Sequence, residues 1–179
     1  MLGDVVSNAG PLIALAKLNL LHLLKSLYGF VRVPSAVYTE AVVEGMQRGF
    51  ADAYTLQLFM QQHRWEPVFD IEIPDDLQQT PLDRGEKEAI ALAVAQNALL
   101  LLDEEQGRQQ ARQRGLAVRG TLGVLIAAYR RSLITTDQLR LYFRQIQERD
   151  DIWISSQLCQ RLLQEALGAL PDAQPEDSG

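Results

Sequence analysis

The stretch Leu99-Leu100-Leu101-Leu102-Asp103-Glu104-Glu105 passes directly from four leucines to three acids. The apolar run has the length of a strand buried on both faces, and Asp103 would stand where that strand leaves the sheet. Ligands of open α/β sheets bind outside the carboxyl ends of the strands, so Asp103 is a candidate site residue. An acid in this place also commonly serves as the N-cap of the next helix, here Gln106 to Arg114.

Strand and helix patterns alternate along the whole chain. Strands are predicted at residues 5–7, 30–33, 68–71, 99–102 and 116–119, and helices at 11–27, 35–45, 50–63, 83–94, 104–114, 121–127, 136–148 and 156–168. Asn19 is expected to divide the first helical region, and Gly45 to end the helix that opens at Pro34-Ser35. This alternation predicts an α/β protein with three layers, α/β/α, around a central, mainly parallel sheet. Right-handed crossovers then bring the carboxyl ends of successive strands to one edge.

Length and composition predict a single domain over residues 1–170, followed by a disordered acidic tail at 171–179. The chain has one cysteine, which excludes an internal disulfide and a thiol cluster. It has only two histidines, so a Ser/His/Asp triad is not favoured. No apolar run approaches the ~20 residues of a membrane span, and no secretory signal is recognisable. We therefore expect a soluble cytoplasmic protein.

The charges are distributed unevenly along the chain. The net charge of −6 argues against indiscriminate binding of nucleic acid. Between Arg108 and Arg149, however, nine arginines face only two acids, so this segment carries +7 and the remainder −13. Such asymmetry is typical of a patch that faces a polyanion beside an acidic cluster. The alternative is that these arginines line the solvated faces of helices and pair with acids elsewhere.

Several polar side chains fall at strand ends or helix starts. They are Asn8, Glu40, Glu86, Glu88, Asp103 and Glu104. Glu40 is the only charge between Val37 and Val43, and a buried carboxylate without a partner takes up a proton unless a cation is shared. Oxygen ligands without histidine or thiolate suit Mg²⁺ or Mn²⁺. Alternatively, Glu40 is a solvated residue at a helix edge, and Glu86 merely stabilises the helix dipole.

Five segments, in matching order, resemble the motifs of PIN-domain proteins, in a prokaryotic and largely uncharacterised branch. They are VVSNAGPLIAL (5–15), VPSAVYTEAV (33–42), LDRGEKEAIALA (82–93), LLDE with the following Gly107-Arg108 and Ala111 (101–111), and GTLGVL (120–125). The resemblance covers about residues 4–160. It implies a PIN fold, in which a parallel sheet flanked by helices gathers acids at one edge.

PIN domains are typically Mg²⁺- or Mn²⁺-dependent ribonucleases, and many prokaryotic ones are toxins held by an antitoxin. Carried over by position, the resemblance implies the metal ligands Asn8, Glu40, Glu88 and Asp103, with Glu86 and Glu104 as the nearest substitutes. Of these, Glu40, Glu88 and Asp103 are also the candidate catalytic residues. Glu88 is chosen over Glu86 because the Ala-Ile-Ala-Leu-Ala frame after it fits the helix of the family better. A homodimer is also expected from the resemblance.

One position departs from the family. PIN nucleases usually carry an aspartate where this chain has Asn8, and an amide offers only a neutral carbonyl oxygen. Metal affinity and activity should be lower, although Asn8 can also be read as a turn residue beside Gly10 and Pro11. We therefore expect a metal-dependent ribonuclease, in one reading the toxin of a toxin–antitoxin pair. The alternative is a catalytically weak or inactive PIN-like module that binds nucleic acid or a protein partner.

Three arginines are candidates for contacts with RNA. Arg108 lies one turn into the helix after Asp103 and would approach the phosphate backbone, and Arg112 and Arg119 would extend the track. The alternative for Arg108 is an ion pair with Glu104 or Glu105 at the start of its own helix.

Overall fold

The computed structural model describes residues 3–168. The predicted domain boundary at residue 170 and the predicted acidic tail at 171–179 lie outside the described residues. Within the described range, the strands are β1 (Val5–Ser7), β2 (Val33–Pro34), β3 (Pro67–Val68), β4 (Leu99–Leu101) and β5 (Val118–Arg119).

The sheet is parallel throughout. β1 pairs with β4, which pairs with β5, while β2 pairs with β3. A parallel bridge between Val6 and Arg32 joins the two sets: the Ser7 N–H donates to the Arg32 carbonyl at 3.1 Å, and the Arg32 N–H donates to the Val5 carbonyl at 2.8 Å. The spatial order is therefore β3-β2-β1-β4-β5, and every strand points its carboxyl end to the same edge.

Helices surround this sheet. They are α1 (Ala9–Lys17), α2 (Leu21–Tyr28), α3 (Ser35–Tyr38), α4 (Gly45–Gln47), α5 (Ala51–His63), α6 (Asp75–Gln78), α7 (Arg84–Gln96), α8 (Glu105–Gln113), α9 (Thr121–Arg130), α10 (Thr136–Glu148) and α11 (Ser156–Gly168), with a π-helical segment at Thr39–Glu44. The predicted three-layer α/β/α fold with a mainly parallel sheet is confirmed. Asn19 divides the first helical region as predicted, in the left-handed conformation at φ 57°.

The leucine run forms β4, which lies between β1 and β5 in the core. Leu100, Leu101 and Leu102 have no exposed surface, and β1 on one side contributes the buried Val5 and Val6. A strand covered by helices on both faces must be apolar at consecutive positions, which is why four leucines occur in a row. Asp103 is the first residue after this buried run, so its position at the sheet edge follows directly from the sequence.

The prediction that Gly45 ends its helix was wrong. The chain continues from the π-helical segment through Gly45 into α4, and it turns only at Gly49, where φ is 76°. A Cβ on Gly45 would lie 2.7 Å from the Cβ of Ala53, so the missing side chain lets α5 pack closely against this helix.

Candidate functional site

Asn8 lies directly after β1, at the carboxyl edge of the sheet. Its N–H donates to the Leu101 carbonyl at 2.9 Å, so the backbone continues the β1–β4 pairing into the site. The residue is 3% exposed, and its Oδ1 is buried without a hydrogen-bond partner among the described residues. An unsatisfied buried acceptor costs about 1–3 kcal/mol, so this oxygen is suited to receive a ligand that the protein itself does not supply.

Asp103 occupies the equivalent place after β4. Its Oδ1 accepts from the Thr121 N–H and its Oδ2 from the Thr121 hydroxyl, each at 2.7 Å. Asp103 thus holds the first residue of α9, and does not cap the helix that follows it in sequence. Burial raises the pKa of Asp103, while the two bonds from Thr121 and the nearby charge of Arg108 oppose that rise.

Asp83 and Glu86 form a reciprocal capping box at the start of α7. Asp83 Oδ1 accepts from the Glu86 N–H at 2.8 Å, and Glu86 Oε2 accepts from the Asp83 N–H at 3.0 Å. This arrangement fixes the Glu86 side chain toward the helix start and the sheet edge. Burial raises the pKa of Glu86, as do the charges of Asp83 and Glu104, while a hydrogen bond with the backbone at Asp83 lowers it.

Glu40 reaches the same region from the π-helical segment. The residue is exposed, but its carboxyl is partly desolvated, which raises its pKa to about 7, and the neighbouring carboxylates Asp83, Glu104, Glu44 and Glu86 add to the rise. The pKa of Glu104 is also raised, by burial and by the charges of Asp103 and Asp83, whereas a polar interaction with the Asn8 side chain lowers it. These mutual effects identify one crowded group of carboxylates.

Two glycines show how closely these side chains approach one another. A Cβ on Gly85 would lie 3.3 Å from Glu40 Oε2, 3.4 Å from Asp83 Oδ1 and 3.5 Å from Asn8 Oδ1. A Cβ on Gly10 would lie 3.4 Å from Asp103 Oδ2 and 3.6 Å from Glu104 Oε1. We call this set the acidic centre; it consists of Asn8, Glu40, Asp83, Glu86, Asp103 and Glu104.

Glu88 is engaged elsewhere. Its Oε2 accepts from the Ala36 N–H at 2.9 Å and from the Ser35 hydroxyl at 3.4 Å, and its Oε1 accepts from Arg84 at 2.9 Å. Its side chain is 4% exposed, and it is not among the carboxylates whose charge raises the pKa of Glu40. The structure therefore places Glu88 as an anchor between α7 and the start of α3.

The acidic centre supplies a donor set that fits a hard divalent cation. Its ligands are carboxylate and amide oxygens only, which are the ligands that Mg²⁺ and Mn²⁺ prefer. The buried, unpartnered Oδ1 of Asn8 supports the same fit. Across residues 3–168, no group of three His, Cys, Asp or Glu side chains converges tightly enough to hold a metal ion in its present conformation.

A basic depression opens beside the acidic centre. It has a volume of about 950 Å³ and is lined by Asp103 and Glu104 together with the arginines Arg108, Arg112, Arg119, Arg130, Arg131 and Arg161. The three predicted RNA-binding arginines therefore share one surface. Arg108 donates to the Leu102 carbonyl at 3.1 Å, Arg112 pairs with Glu105 at 3.5 Å, and Arg119 donates to the Tyr28 hydroxyl at 2.8 Å.

A family model described as a PIN domain matches residues 4–167. The chain belongs to the PIN-domain family. No curated protein and no solved structure matches the chain significantly. The PIN fold is a nuclease-type, nucleic-acid-binding fold whose members generally use divalent metal ions. Within the described part of this PIN domain, no helix has both the length and the apolar character needed to cross a bilayer.

Asp83 was not among the site residues predicted from the sequence. The signal was present, because Asp83-Arg84-Gly85-Glu86 has the spacing of a capping box, in which the first and fourth side chains meet. The same spacing favours Glu86 over Glu88 as the residue that faces the sheet edge. Residues two apart on a helix differ in direction by about 200°, so the side chains of Glu86 and Glu88 point to different sides of α7.

Proposed function

We propose that this PIN domain is a ribonuclease dependent on Mg²⁺ or Mn²⁺, with its acidic centre as the active site. Asn8, Glu40, Glu86 and Asp103 would hold the cation, with Glu104 and Asp83 completing the acidic surround. The observation that carries this proposal is the crowding of these oxygens at the carboxyl edge of the sheet, beside the unpartnered Asn8 Oδ1. Glu86 takes the place for which Glu88 was considered, because Glu88 is occupied by Ser35, Ala36 and Arg84.

A divalent cation bound here would supply Lewis acidity toward the phosphodiester and the attacking water. The protein's own contribution is positional. Thr121 holds both oxygens of Asp103, so this carboxylate enters the site with a fixed orientation. Arg108 extends along the same wall and offers a positive charge to the phosphate next to the scissile one. The reaction is hydrolysis, in which water adds to phosphorus and one ester oxygen leaves.

A second candidate function follows from Asn8. Its neutral amide removes one negative charge from the position where PIN nucleases usually carry aspartate, which weakens attraction for a cation. A weakly active or inactive PIN module that binds nucleic acid or a protein partner would retain the basic depression. A toxin role, an antitoxin partner and a homodimer remain predictions of the resemblance, and a cytoplasmic location remains a prediction from the apolar pattern of the sequence.

Cleavage of an unstructured single-stranded RNA, with Mg²⁺ or Mn²⁺ and with an EDTA control, tests the proposal. We expect cleavage only with the metal, and a loss of at least about 100-fold for Asp103→Asn, since removing one charged group of such a site has effects of this order. A second depression lies at the acidic centre's glutamate Glu40 and is also lined by Glu44, Asp83 and Gly85 among others. Glu66→Gln is the matched control, because Glu66 is an exposed acid that lines neither this depression nor the basic one. Cleavage that persists in EDTA, or in purified Asp103→Asn, would overturn the proposal.

A further inference from the structure

Trp153 is the most exposed large apolar side chain among those described. It is 93% exposed, whereas the other tryptophan of the chain, Trp65, is 2% exposed. A fully solvated tryptophan loses the free energy that its burial would contribute, so such a residue commonly belongs to a binding surface.

The loop that carries Trp153 is held in place from several sides. Ile152 is 7% exposed and packs in the core. Asp151 is bound by Arg149 at 2.8 Å and by Lys17 at 3.4 Å, and Lys17 also donates to the Asp151 carbonyl at 2.7 Å. The Trp153 indole N–H donates to the Asp150 carbonyl at 3.1 Å. The ring is therefore held at its edge while its faces remain open to solvent.

Trp153 lines the same depression as Asp103 and Glu104 of the acidic centre. Arg130 and Arg161 line it as well, in addition to the arginines that had been predicted from the sequence. Glu105 and Glu165 also line the depression and pair with Arg112 and Arg161, so six arginines face four acids and the lining stays net positive. This positive charge beside a presented indole is complementary to a strand that carries phosphates on one side and unpaired bases on the other. A protein partner of ordinary composition carries no comparable row of negative charges for these arginines to bind.

We propose that Trp153 is a base-stacking platform for single-stranded RNA that passes through the basic depression to the acidic centre. This inference rests on the proposed function, since it assigns the substrate of the same site. It also specifies the form of the substrate, because the bases of a duplex are stacked on one another and cannot lie flat on the indole.

Binding of a fluorescently labelled oligouridylate of about twelve nucleotides, a length within the usual range for stacking grooves, tests the proposal. The assay is done in EDTA so that the RNA stays intact. We expect Trp153→Ala to weaken binding by about 5- to 150-fold, the range that corresponds to loss of one stacked base. Trp153→Phe should restore most of the affinity, whereas Trp153→Leu, which is apolar but not aromatic, should not.

Tyr54→Ala is the matched control, because Tyr54 is a half-exposed aromatic on α5 that lines neither depression. Its affinity for the oligonucleotide should equal that of the wild type. Intrinsic fluorescence gives a second readout: the oligonucleotide should quench the exposed Trp153, and Trp153→Phe should abolish that quenching because Trp65 is shielded. A duplex RNA of equal length should quench little, and oligodeoxythymidylate shows whether the ribose contributes.

The outcomes separate this inference from the proposed nuclease. If the wild type cleaves RNA but Trp153→Ala binds as tightly as wild type, the stacking platform is wrong and the nuclease stands. If RNA quenches Trp153 but no metal supports cleavage, the nuclease is wrong and the platform stands. If Trp153→Ala changes the molar mass in light scattering and not the RNA affinity, Trp153 is a contact between protein chains and the inference is overturned.

Discussion

Asp103 receives two hydrogen bonds from Thr121, one from its N–H and one from its hydroxyl, each at 2.7 Å. This pair ties the end of β4 to the first turn of α9 and joins the acidic centre to the wall of the basic depression. Thr121 is fully buried, so water cannot replace its hydroxyl if that group is removed.

Thr121→Val should therefore lower the free energy of unfolding by about 1–3 kcal/mol, the usual cost of leaving a buried acceptor one partner short. The pKa of Asp103, already raised by burial, should rise further because a bond that stabilises its charged form is lost. Urea denaturation at neutral pH measures the stability. Thr121→Ser keeps the hydroxyl and should lie closer to wild type; equal stability of the valine and serine variants would contradict this role.

Substitutions of Glu86 and Glu88 should have different effects: one on Mn²⁺ affinity, the other on the free energy of unfolding. Glu86→Gln keeps an oxygen for the Asp83 N–H but removes a charge from the acidic centre, so we expect a clear loss of Mn²⁺ affinity in calorimetry. Glu88→Gln should lower the free energy of unfolding by about 1 kcal/mol through its weakened bond to the Ala36 N–H, with Mn²⁺ affinity unchanged. If Glu88→Gln lost Mn²⁺ affinity and Glu86→Gln kept it, Glu88 and not Glu86 would be the metal ligand.

Asn8→Asp should raise Mn²⁺ affinity, because it adds a negative charge where the Oδ1 of Asn8 now lacks a partner. Without metal the same change adds like-charge repulsion with Glu104 and with the other acids, so the variant should unfold at a lower temperature in EDTA. Added Mn²⁺ should then stabilise it more than the wild type. Asn8→Ser, which adds no charge, is the control, and an unchanged Mn²⁺ affinity in Asn8→Asp would refute this account.

The stability of the metal-free protein should fall as pH rises from about 5 to about 8. The pKa of Glu40 is about 7 in the folded protein, against 4.5 as its ordinary value, so between these values the folded state holds the proton more tightly than the unfolded chain does. The stabilisation is present while that proton is bound and is lost as it leaves. Glu40 remains accessible to solvent, which moderates the effect. Thermal unfolding in EDTA measures it, and Glu40→Gln should flatten the curve.

Metal affinity should rise with pH, because a bound cation has to displace the proton of Glu40. For a single carboxyl with a pKa of about 7, Mn²⁺ affinity should rise on the order of tenfold between pH 6 and pH 8. Calorimetry in two buffers of different ionisation enthalpy should detect the released proton at pH 6. A Mn²⁺ affinity that does not rise over this range would show that the cation and the Glu40 proton do not compete.

Apart from α6, which lies in a stretch where no helix was predicted, the order of strands and helices was predictable because each element carries its own local signal. The leucine run marks a doubly covered strand, and the residue after it is necessarily at the sheet edge, so the position of Asp103 followed from residues 99–102 alone. Asn8 followed in the same way from β1. These are short-range consequences of burial and chain direction.

The direction of side chains on helices was harder to predict. The choice of Glu88 relied on the apolar frame around it, which fits any residue on the buried side of α7, whereas its partners on α3 depend on a contact between distant segments. Gly45 was misread because a glycine that ends a helix and one that admits a neighbouring helix look alike in sequence. Only the packing of Ala53 against it distinguishes the two.

All six members of the acidic centre come from the first 104 residues, whereas Trp153, Arg130 and Arg161 come from the part after α9 begins. In the proposed nuclease, the candidate active site and the part of the RNA-binding surface that holds Trp153 are thus encoded in separate stretches of the gene. Substitutions at Trp153, Arg130 or Arg161 are therefore expected to change RNA binding while the acidic centre remains intact. Exchanging the last third of the chain between homologues would be a direct route to altered selectivity.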